Sequence, residues 1–150
     1  MTDRMIWIDG DACPVKEEVY RCAYRHNIPV KLVAGSYLRH PEHPLITMVM
    51  AGDAFDAADD VIAEGAGQGS LVITADILLA ERCLSEGAVV LNHKGDAFTA
   101  NSIGAQVATR AIMADLRAGL EGQAIGGQKP FSKADRSAFS NALETALRKL

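Results

Sequence analysis

Two aspartates stand where an apolar run meets the start of a helix near the beginning of the chain. Residues Met5 to Lys16 read MIWIDGDACPVK, with Asp9 and Asp11 directly after the apolar run. Such a run followed by helix-starting residues is typical of a buried parallel strand entering a β-to-α turn. Alternate strand residues point the same way, so both carboxylates are expected on one side. Carboxylates held close repel each other, and a hard cation such as Mg²⁺ relieves that repulsion.

Further acidic residues follow later elements of the predicted fold. Asp56 and Asp59 fall within one predicted helix, three residues apart and on one face. Asp76 follows a short apolar strand and begins the next predicted helix. If that strand lies beside the first one, Asp9 and Asp76 reach the same edge of the sheet, where open α/β sheets bind their ligands.

Helix capping is the simpler interpretation of two of these aspartates. Aspartate is a good N-cap, so Asp11 could bond the first turn of the helix opened by Pro14, and Asp76 could cap the helix that follows it. Capping explains single aspartates but not the closely spaced pair Asp9 and Asp11. The sequence leaves both interpretations open.

The elements that must position these residues alternate between strand and helix, which predicts an α/β domain with a mainly parallel sheet. We predict one domain over residues 1–150, with five strands flanked by helices and a long irregular loop from Gly35 to Leu45. Besides the strand ending at Asp9, strands are predicted at 30–34, 46–50, 71–73 and 88–91. Helices are predicted at 14–26, 53–67, 77–86, 103–120 and 132–150, with a glycine-rich linker at 122–130.

Composition limits the class of protein. The chain has 150 residues and is 49% hydrophobic, which suits one domain with a single core. No apolar run is long enough to cross a membrane and no signal-peptide pattern is visible, so we expect a cytoplasmic protein without a membrane partner.

Three cysteines without CxxC or Cys/His ligand spacing argue against a disulfide frame or a zinc knuckle. Cys22 and Cys83 are expected in the core, whereas Cys13, beside the aspartates, is a minor candidate nucleophile.

Charge is distributed unevenly along the chain. Residues 1–92 hold 7 Lys/Arg against 14 Asp/Glu, whereas residues 93–150 hold 8 against 5. This division suits metal ions together with a polyanionic substrate, although ordinary solvated helix faces explain much of the basic part. The candidate substrate contacts are Lys94, Arg110, Lys129, Arg136, Arg39 and Asn101.

Four motifs resemble the YaiI/YqxD family, a group of small bacterial proteins of uncharacterised function that is grouped with the PIN-like nuclease domains. They are DGDACPVK from Asp9, DAADDVI from Asp56, TADILLA from Thr74 and KPFSKADRSAF from Lys129, and they span nearly the whole chain. Four positions depart from the family pattern. Gly10 replaces an alanine, Leu78 replaces a proline, and His93 with Lys94 replaces a Pro-Arg pair.

The resemblance implies a three-layer Rossmann-like, PIN-like fold and a phosphodiesterase that depends on Mg²⁺ or Mn²⁺ and acts most naturally on RNA. Carried over position by position, the metal-binding carboxylates are Asp9, Asp11, Asp56, Asp59 and Asp76. Asp9, Asp11 and Asp76 are the expected catalytic residues. A fold alone does not confer an activity, so these remain expectations.

Two other functions stay open. IWIDGDAC is also similar to the opening motif of haloacid dehalogenase-type phosphatases, in which Asp9 would accept the phosphoryl group, Asp11 would act as general acid and Thr74 would form the second motif. Their later acidic motif should follow the second motif, but here the paired aspartates Asp59 and Asp60 precede it. The other possibility is a non-catalytic module that binds metal or nucleic acid.

Overall fold

A six-stranded sheet forms the centre of the molecule, and its strand order decides which loops meet. The computed structural model describes residues 3–104, 108–109, 112 and 131–150. The strands are β1 (Met5–Asp9), β2 (Val30–Ala34), β3 (Ile46–Met50), β4 (Ser70–Ile73), β5 (Val89–Leu91) and β6 (Ala97–Phe98). Their order is β3-β2-β1-β4-β5-β6, in which β1 to β5 are parallel and β6 runs antiparallel to β5. Because β1 lies between β2 and β4, the first and fourth strands are neighbours, as the acidic pattern required.

Within the described residues, four helices longer than five residues cover the two faces of the sheet: α1 (Lys16–His26), α2 (Ala57–Gly65), α3 (Ile77–Ser85) and α4 (Lys133–Arg148). The chain is also helical at 100–104. Most of the helix predicted at 103–120 and the whole linker predicted at 122–130 lie outside the described residues. None of the helices described here is long and apolar enough to span a membrane.

The sheet is the middle of three layers because its strands are apolar on both faces. Alternate residues of one strand enter different cores, so Ile6 and Ile8 pack on the side of α1 and α4, and Trp7 packs on the side of α2 and α3. The first side also takes Leu32, Leu71, Ile73 and Leu91, and the second takes Val33, Val72 and Val90. This arrangement confirms the predicted three-layer α/β class.

Helix α4 closes the first core. Ser132 caps it by accepting a hydrogen bond from the Asp135 backbone N–H at 3.0 Å, and the Asp135 side chain bonds back to the Ser132 N–H, which completes a capping box. Phe139, Leu143 and Leu147 are fully buried, as predicted from their helical spacing. The capped start and the apolar stripe hold α4 against α1.

Besides shifts of one or two residues at the ends of other elements, three details differ from the sequence prediction. The sheet has a sixth strand, β6, which is only two residues long and carries no hydrophobic period. Helix α1 begins at Lys16 instead of Pro14. Helix α2 begins at Ala57 instead of Asp53, because Asp56 has a left-handed backbone (φ 60°) that interrupts a helix. Asp56 therefore does not share a helix face with Asp59.

Candidate functional site

An acidic cleft of about 480 Å³ opens at the carboxyl edge of the sheet, beside the ends of β1, β2 and β3. Its backbone rim comes from the loops after those strands and from the start of α2. No Lys or Arg lines it among the residues that the structure describes. Five of its lining residues are aspartates: Asp9, Asp11, Asp53, Asp56 and Asp59. Open α/β sheets bind ligands at this position.

The loop after β1 carries Asp11 into the cleft. Ala12 has a left-handed backbone (φ 62°), which is costly for a residue with a Cβ and is seen most often where surrounding contacts enforce it. The Lys16 ammonium group supplies such contacts by donating hydrogen bonds to the carbonyl oxygens of Gly10 and Cys13, both at 3.2 Å. Helix α1 has no side-chain cap, so the interpretation of Asp11 as an N-cap was wrong.

Asp11 makes one weak contact across the cleft. Its Oδ2 atom accepts a hydrogen bond from the backbone N–H of Gly35 at 3.4 Å, at the end of β2. The carboxylate is otherwise exposed. Asp11 is therefore positioned at the cleft by the strained loop and remains accessible to a ligand.

The segment before α2 forms the opposite wall. Gly52 (φ 95°) and Asp56 both adopt left-handed backbone conformations, so the chain turns back towards the sheet before the helix begins. Phe55 at this wall is 92% exposed. Asp59 then lies in the first turn of α2, where the helix dipole favours a negative charge.

Asp76 is a helix N-cap, as the simpler interpretation predicted. Its Oδ1 atom accepts hydrogen bonds from the backbone N–H groups of Leu78 at 2.9 Å and Leu79 at 3.2 Å. Both bonds go to Oδ1, and Oδ2 has no hydrogen-bond partner among the described residues. Capping accounts for the position of Asp76 and leaves one carboxylate oxygen available.

Thr74 connects the ends of β1 and β4. It is fully buried, and its hydroxyl donates to Asp9 Oδ2 at 2.8 Å and accepts from the backbone N–H of Asp76 at 3.0 Å. One side chain thereby fixes the carboxylate of Asp9 and the backbone of Asp76. The sequence analysis gives Thr74 a role only in the phosphatase alternative. Its position directly after an apolar strand is the sequence signal that could have placed it beside Asp9.

The aspartates perturb one another electrostatically. Burial raises the pKa of Asp9, and the charges of Asp76 and Asp11 raise it further, while the hydrogen bond from Thr74 opposes the shift. Burial, together with the charges of Asp76, Asp9 and Asp56, raises the pKa of Asp59 to about 6. Like charges are therefore close enough here to disfavour full ionisation.

The carboxylates surround the cleft without closing on one point. Within the described residues, no three aspartates bring one oxygen each to within 4.8 Å of one another. A cation would have to draw them closer or use water for part of its coordination, as Mg²⁺ usually does. The roles predicted for these aspartates stay predictions.

The predicted substrate contacts are scattered. Lys94 lines a neighbouring cleft of about 570 Å³, together with Ala12, His93 and Phe131. Arg39 lines a separate pocket, and Asn101 is exposed on the helical segment at 100–104. Arg110 and Lys129 lie outside the described residues.

Arg136 has a structural explanation. Its guanidinium group donates to the Pro14 carbonyl oxygen at 2.6 Å and to Glu18 Oε1 at 3.3 Å, and it stacks on Phe131 with 5.1 Å to the ring centroid. These contacts join α4 to the start of α1. They leave the predicted substrate role of Arg136 without support from the geometry.

Cysteine chemistry at the cleft is disfavoured. Cys13 is buried, and desolvation raises the pKa of its thiol, so it is a poor nucleophile. Cys22 and Cys83 are buried as predicted.

The residue that the prediction overlooked at the cleft is Asp53, because the sequence pattern places it in the first turn of a helix.

The fold and the cleft define a three-layer α/β domain with an acidic site at the carboxyl edge of a parallel sheet. The chain belongs to the family described as Uncharacterized BCR, YaiI/YqxD family, whose model matches residues 7–149.

Similar proteins cover nearly the whole chain. A UPF0178 protein from Jannaschia sp. (strain CCS1) is 84% identical over 147 residues, which is 98% of this chain and 94% of the relative. A UPF0178 protein from Sphingopyxis alaskensis is 59% identical over 98% of this chain and 95% of its own length. One from Nitrobacter winogradskyi is 51% identical over 100% of this chain and 94% of its own length. No solved structure matches the chain.

Proposed function

We propose that this protein is a divalent-metal-dependent phosphodiesterase that hydrolyses RNA at the acidic cleft. The observation that carries the proposal is that five aspartates line one cleft, at the edge where α/β sheets bind ligands, with no basic side chain among its described lining residues. Such a site repels a bare phosphate group. It becomes suited to phosphate only when a cation has been bound first.

The donor set fits Mg²⁺ or Mn²⁺. Every candidate ligand is a carboxylate oxygen, the donor that hard cations prefer. Burial and then the neighbouring carboxylates raise the pKa values of Asp9 and Asp59, and a bound cation would offset that repulsion. Asp9 and Asp59 are the central proposed ligands, with Asp11, Asp56 and the second oxygen of Asp76 at the periphery. A bound divalent ion would supply an activated water and neutralise charge that develops on the phosphate.

The chain's own residues would prepare this site. Thr74 holds Asp9 in one orientation through its 2.8 Å hydrogen bond, so the carboxylate does not have to be reoriented when a ligand enters. The neighbouring cleft with Lys94 and His93 is suited to an adjacent phosphate and sugar of an extended substrate. The preference for RNA over DNA rests on the resemblance to PIN-like nuclease domains.

The phosphatase alternative has one observation in its favour. Thr74 contacts Asp9, as it would if Asp9 accepted a phosphoryl group and Thr74 bound it. Against it, no lysine lines the cleft among the described residues, although transferred phosphoryl groups are commonly held by basic residues. The non-catalytic module differs from the proposal only in the absence of turnover.

The test uses the full chain with a fluorescent single-stranded RNA, with Mn²⁺, with Mg²⁺ and with EDTA. We expect cleavage only with a metal ion, and a loss of at least about a hundredfold in Asp9→Asn, because removing one electrostatic contact to a reacting group costs about that much. Asp60→Asn is the matched control. Asp60 follows the cleft residue Asp59 but pairs outward with Arg82 at 2.9 Å, so its variant should cleave normally.

Each other outcome contradicts the proposal in its own way. Turnover of a phosphomonoester with a trapped phosphoaspartate at Asp9 would establish the phosphatase. Stabilisation by Mn²⁺ that Asp9→Asn abolishes, without hydrolysis of RNA, DNA or nucleotides, would establish a metal-binding module. Cleavage that survives Asp9→Asn would place the activity elsewhere.

A further inference from the structure

We propose a second metal site, suited to Zn²⁺, formed by Cys22, His26 and Glu144 between helices α1 and α4. Among the described residues, this is the group of three His, Cys, Asp or Glu side chains whose ligand atoms all lie within 4.8 Å of one another. It is separate from the acidic cleft. Helix α1 runs back from the carboxyl edge of the sheet, and its last residue, His26, precedes the opposite edge where β2 begins.

Helical spacing places two of the ligands together. Cys22 and His26 are four residues apart on α1, so their side chains share one face of the helix. Glu144 comes from α4 and reaches both of them. Its Oε2 atom accepts from the Cys22 thiol at 3.1 Å, and its Oε1 atom lies 2.6 Å from His26 Nε2.

The distances suit a tetrahedral ion. Zinc binds sulfur at about 2.3 Å and imidazole nitrogen or carboxylate oxygen at about 2.0–2.2 Å, which separates the ligand atoms by about 3–4 Å. In the structure Cys22 Sγ lies 3.1 Å from Glu144 Oε2, His26 Nε2 lies 2.6 Å from Glu144 Oε1, and the three ligand atoms all lie within 4.8 Å of one another. An ion between them would have to push the His26 and Glu144 atoms apart by somewhat less than about 1 Å. His26 and Glu144 have side chains that are 23% and 25% exposed, which leaves a path for the ion and room for a water as fourth ligand.

Two arginines position the Glu144 carboxylate. The Glu144 carboxylate lies 2.9 Å from the Arg25 guanidinium and 3.9 Å from that of Arg148, and these pairs hold it near Cys22 and His26. Both arginine side chains are mostly exposed, at 58% and 72%, so either can turn to solvent when a cation arrives. The ion pairs keep the three ligands in place until zinc replaces the arginines.

Proton balance gives a direct signature. Zinc binds the thiolate, so Cys22 must release its proton, and His26 must be neutral at the nitrogen that binds. The reaction is Zn²⁺ plus one thiol, one neutral imidazole and one carboxylate, giving the bound ion and one proton. A second proton leaves if His26 starts in its charged form.

The test titrates the purified full chain with Co²⁺ as a spectroscopic substitute and then displaces it with Zn²⁺. We expect a near-ultraviolet sulfur-to-cobalt charge-transfer band, with visible bands typical of tetrahedral geometry. Cys22→Ser should abolish the charge-transfer band. His26→Gln should keep it but weaken Zn²⁺ affinity by at least about tenfold, since even outer-shell changes cost 10–100-fold.

Two controls separate this site from other thiols and from the acidic cleft. Cys83→Ser removes a buried thiol in the other core and should leave the band unchanged. Asp9→Asn should also leave it unchanged, whatever happens to RNA cleavage. Circular dichroism establishes whether each variant is folded. If Cys22→Ser does not fold, the loss of affinity in His26→Gln tests the site instead. Absence of the band in the parent chain, or full affinity in His26→Gln, would overturn the proposal.

Discussion

Replacing Asp59 by asparagine should stabilise the metal-free protein at neutral pH. Asp59 is half-buried among Asp76, Asp9 and Asp56, and its pKa is raised from 3.8 to about 6 by desolvation and by those charges. The native state therefore holds the Asp59 proton more tightly than the unfolded chain does. Stability falls as pH rises from about 4 to above 6, because ionisation is less favourable in the folded protein.

The size of the effect follows from the shift. About two pKa units correspond to about 3 kcal/mol at roughly 1.4 kcal/mol per unit, and solvent screening at this partly exposed position reduces that to about 1.5 kcal/mol. Asparagine also loses the favourable interaction of the Asp59 charge with the start of α2, about 0.5 kcal/mol. Asp59→Asn should therefore raise the free energy of unfolding by about 1 kcal/mol at pH 7.5.

Urea unfolding at several pH values between 4 and 8 measures this difference. The gain should be largest above pH 6 and should vanish near pH 4, where the native carboxyl group is already neutral. Asp60→Asn is again the matched control, and loss of its exposed ion pair with Arg82 should cost less than about 1 kcal/mol. Stabilisation by Mn²⁺ should be smaller in Asp59→Asn than in the parent chain, because the ion binds only the folded cleft.

The reasoning would be refuted if Asp59→Asn lowered stability at pH 7.5, or if its effect were the same at pH 4 and pH 7.5. Either result would mean that the folded protein does not disfavour the charged form of Asp59. The cleft would then lack the electrostatic strain from which we infer a cation.

Two other substitutions test how the site is positioned and how the second core packs. Thr74→Val removes the hydrogen-bond donor to Asp9, so it should lower the free energy of unfolding in urea by about 1–3 kcal/mol and raise the pKa of Asp9 further. Unchanged stability would show that the bond is dispensable. Gly65→Ala would place a Cβ 2.3 Å from the Trp7 ring, so we expect a loss of about 1–3 kcal/mol and altered tryptophan fluorescence. Gly104→Ala is the matched control: its Cβ would meet no described residue within 4 Å, so it should not destabilise the protein.

Much of the fold could be predicted because local pattern and tertiary packing agree. Strands β2 and β3 have the predicted bounds, since a proline precedes the first and a glycine soon follows the second. The start of α2 could not be predicted in the same way. Residues from Asp53 fit a helical pattern, but the left-handed backbone at Asp56 delays the helix by four residues, and sequence gives little warning of it.

The candidate site was predictable only in part. The sequence predicts that Asp9 and Asp76 each follow a strand, but whether those two strands are neighbours stays open until the structure shows β1 paired with β4. Whether an aspartate caps a helix depends on the conformation of the preceding loop, which the sequence does not give. Asp76 caps α3, whereas Asp11 does not cap α1. Of the group on α1 and α4, the spacing of Cys22 and His26 is visible in the sequence, but the third member is not, because Glu144 lies 122 residues from Cys22.

The most direct test of the account is a crystal of the full chain soaked in Mn²⁺, with anomalous scattering recorded at the manganese edge. We predict an anomalous peak in the acidic cleft, within bonding distance of carboxylate oxygens of Asp9 and Asp59, and no such peak in Asp9→Asn crystals. An empty cleft at millimolar Mn²⁺, or a peak that persists unchanged in Asp9→Asn, would contradict the claim that these aspartates form a metal site.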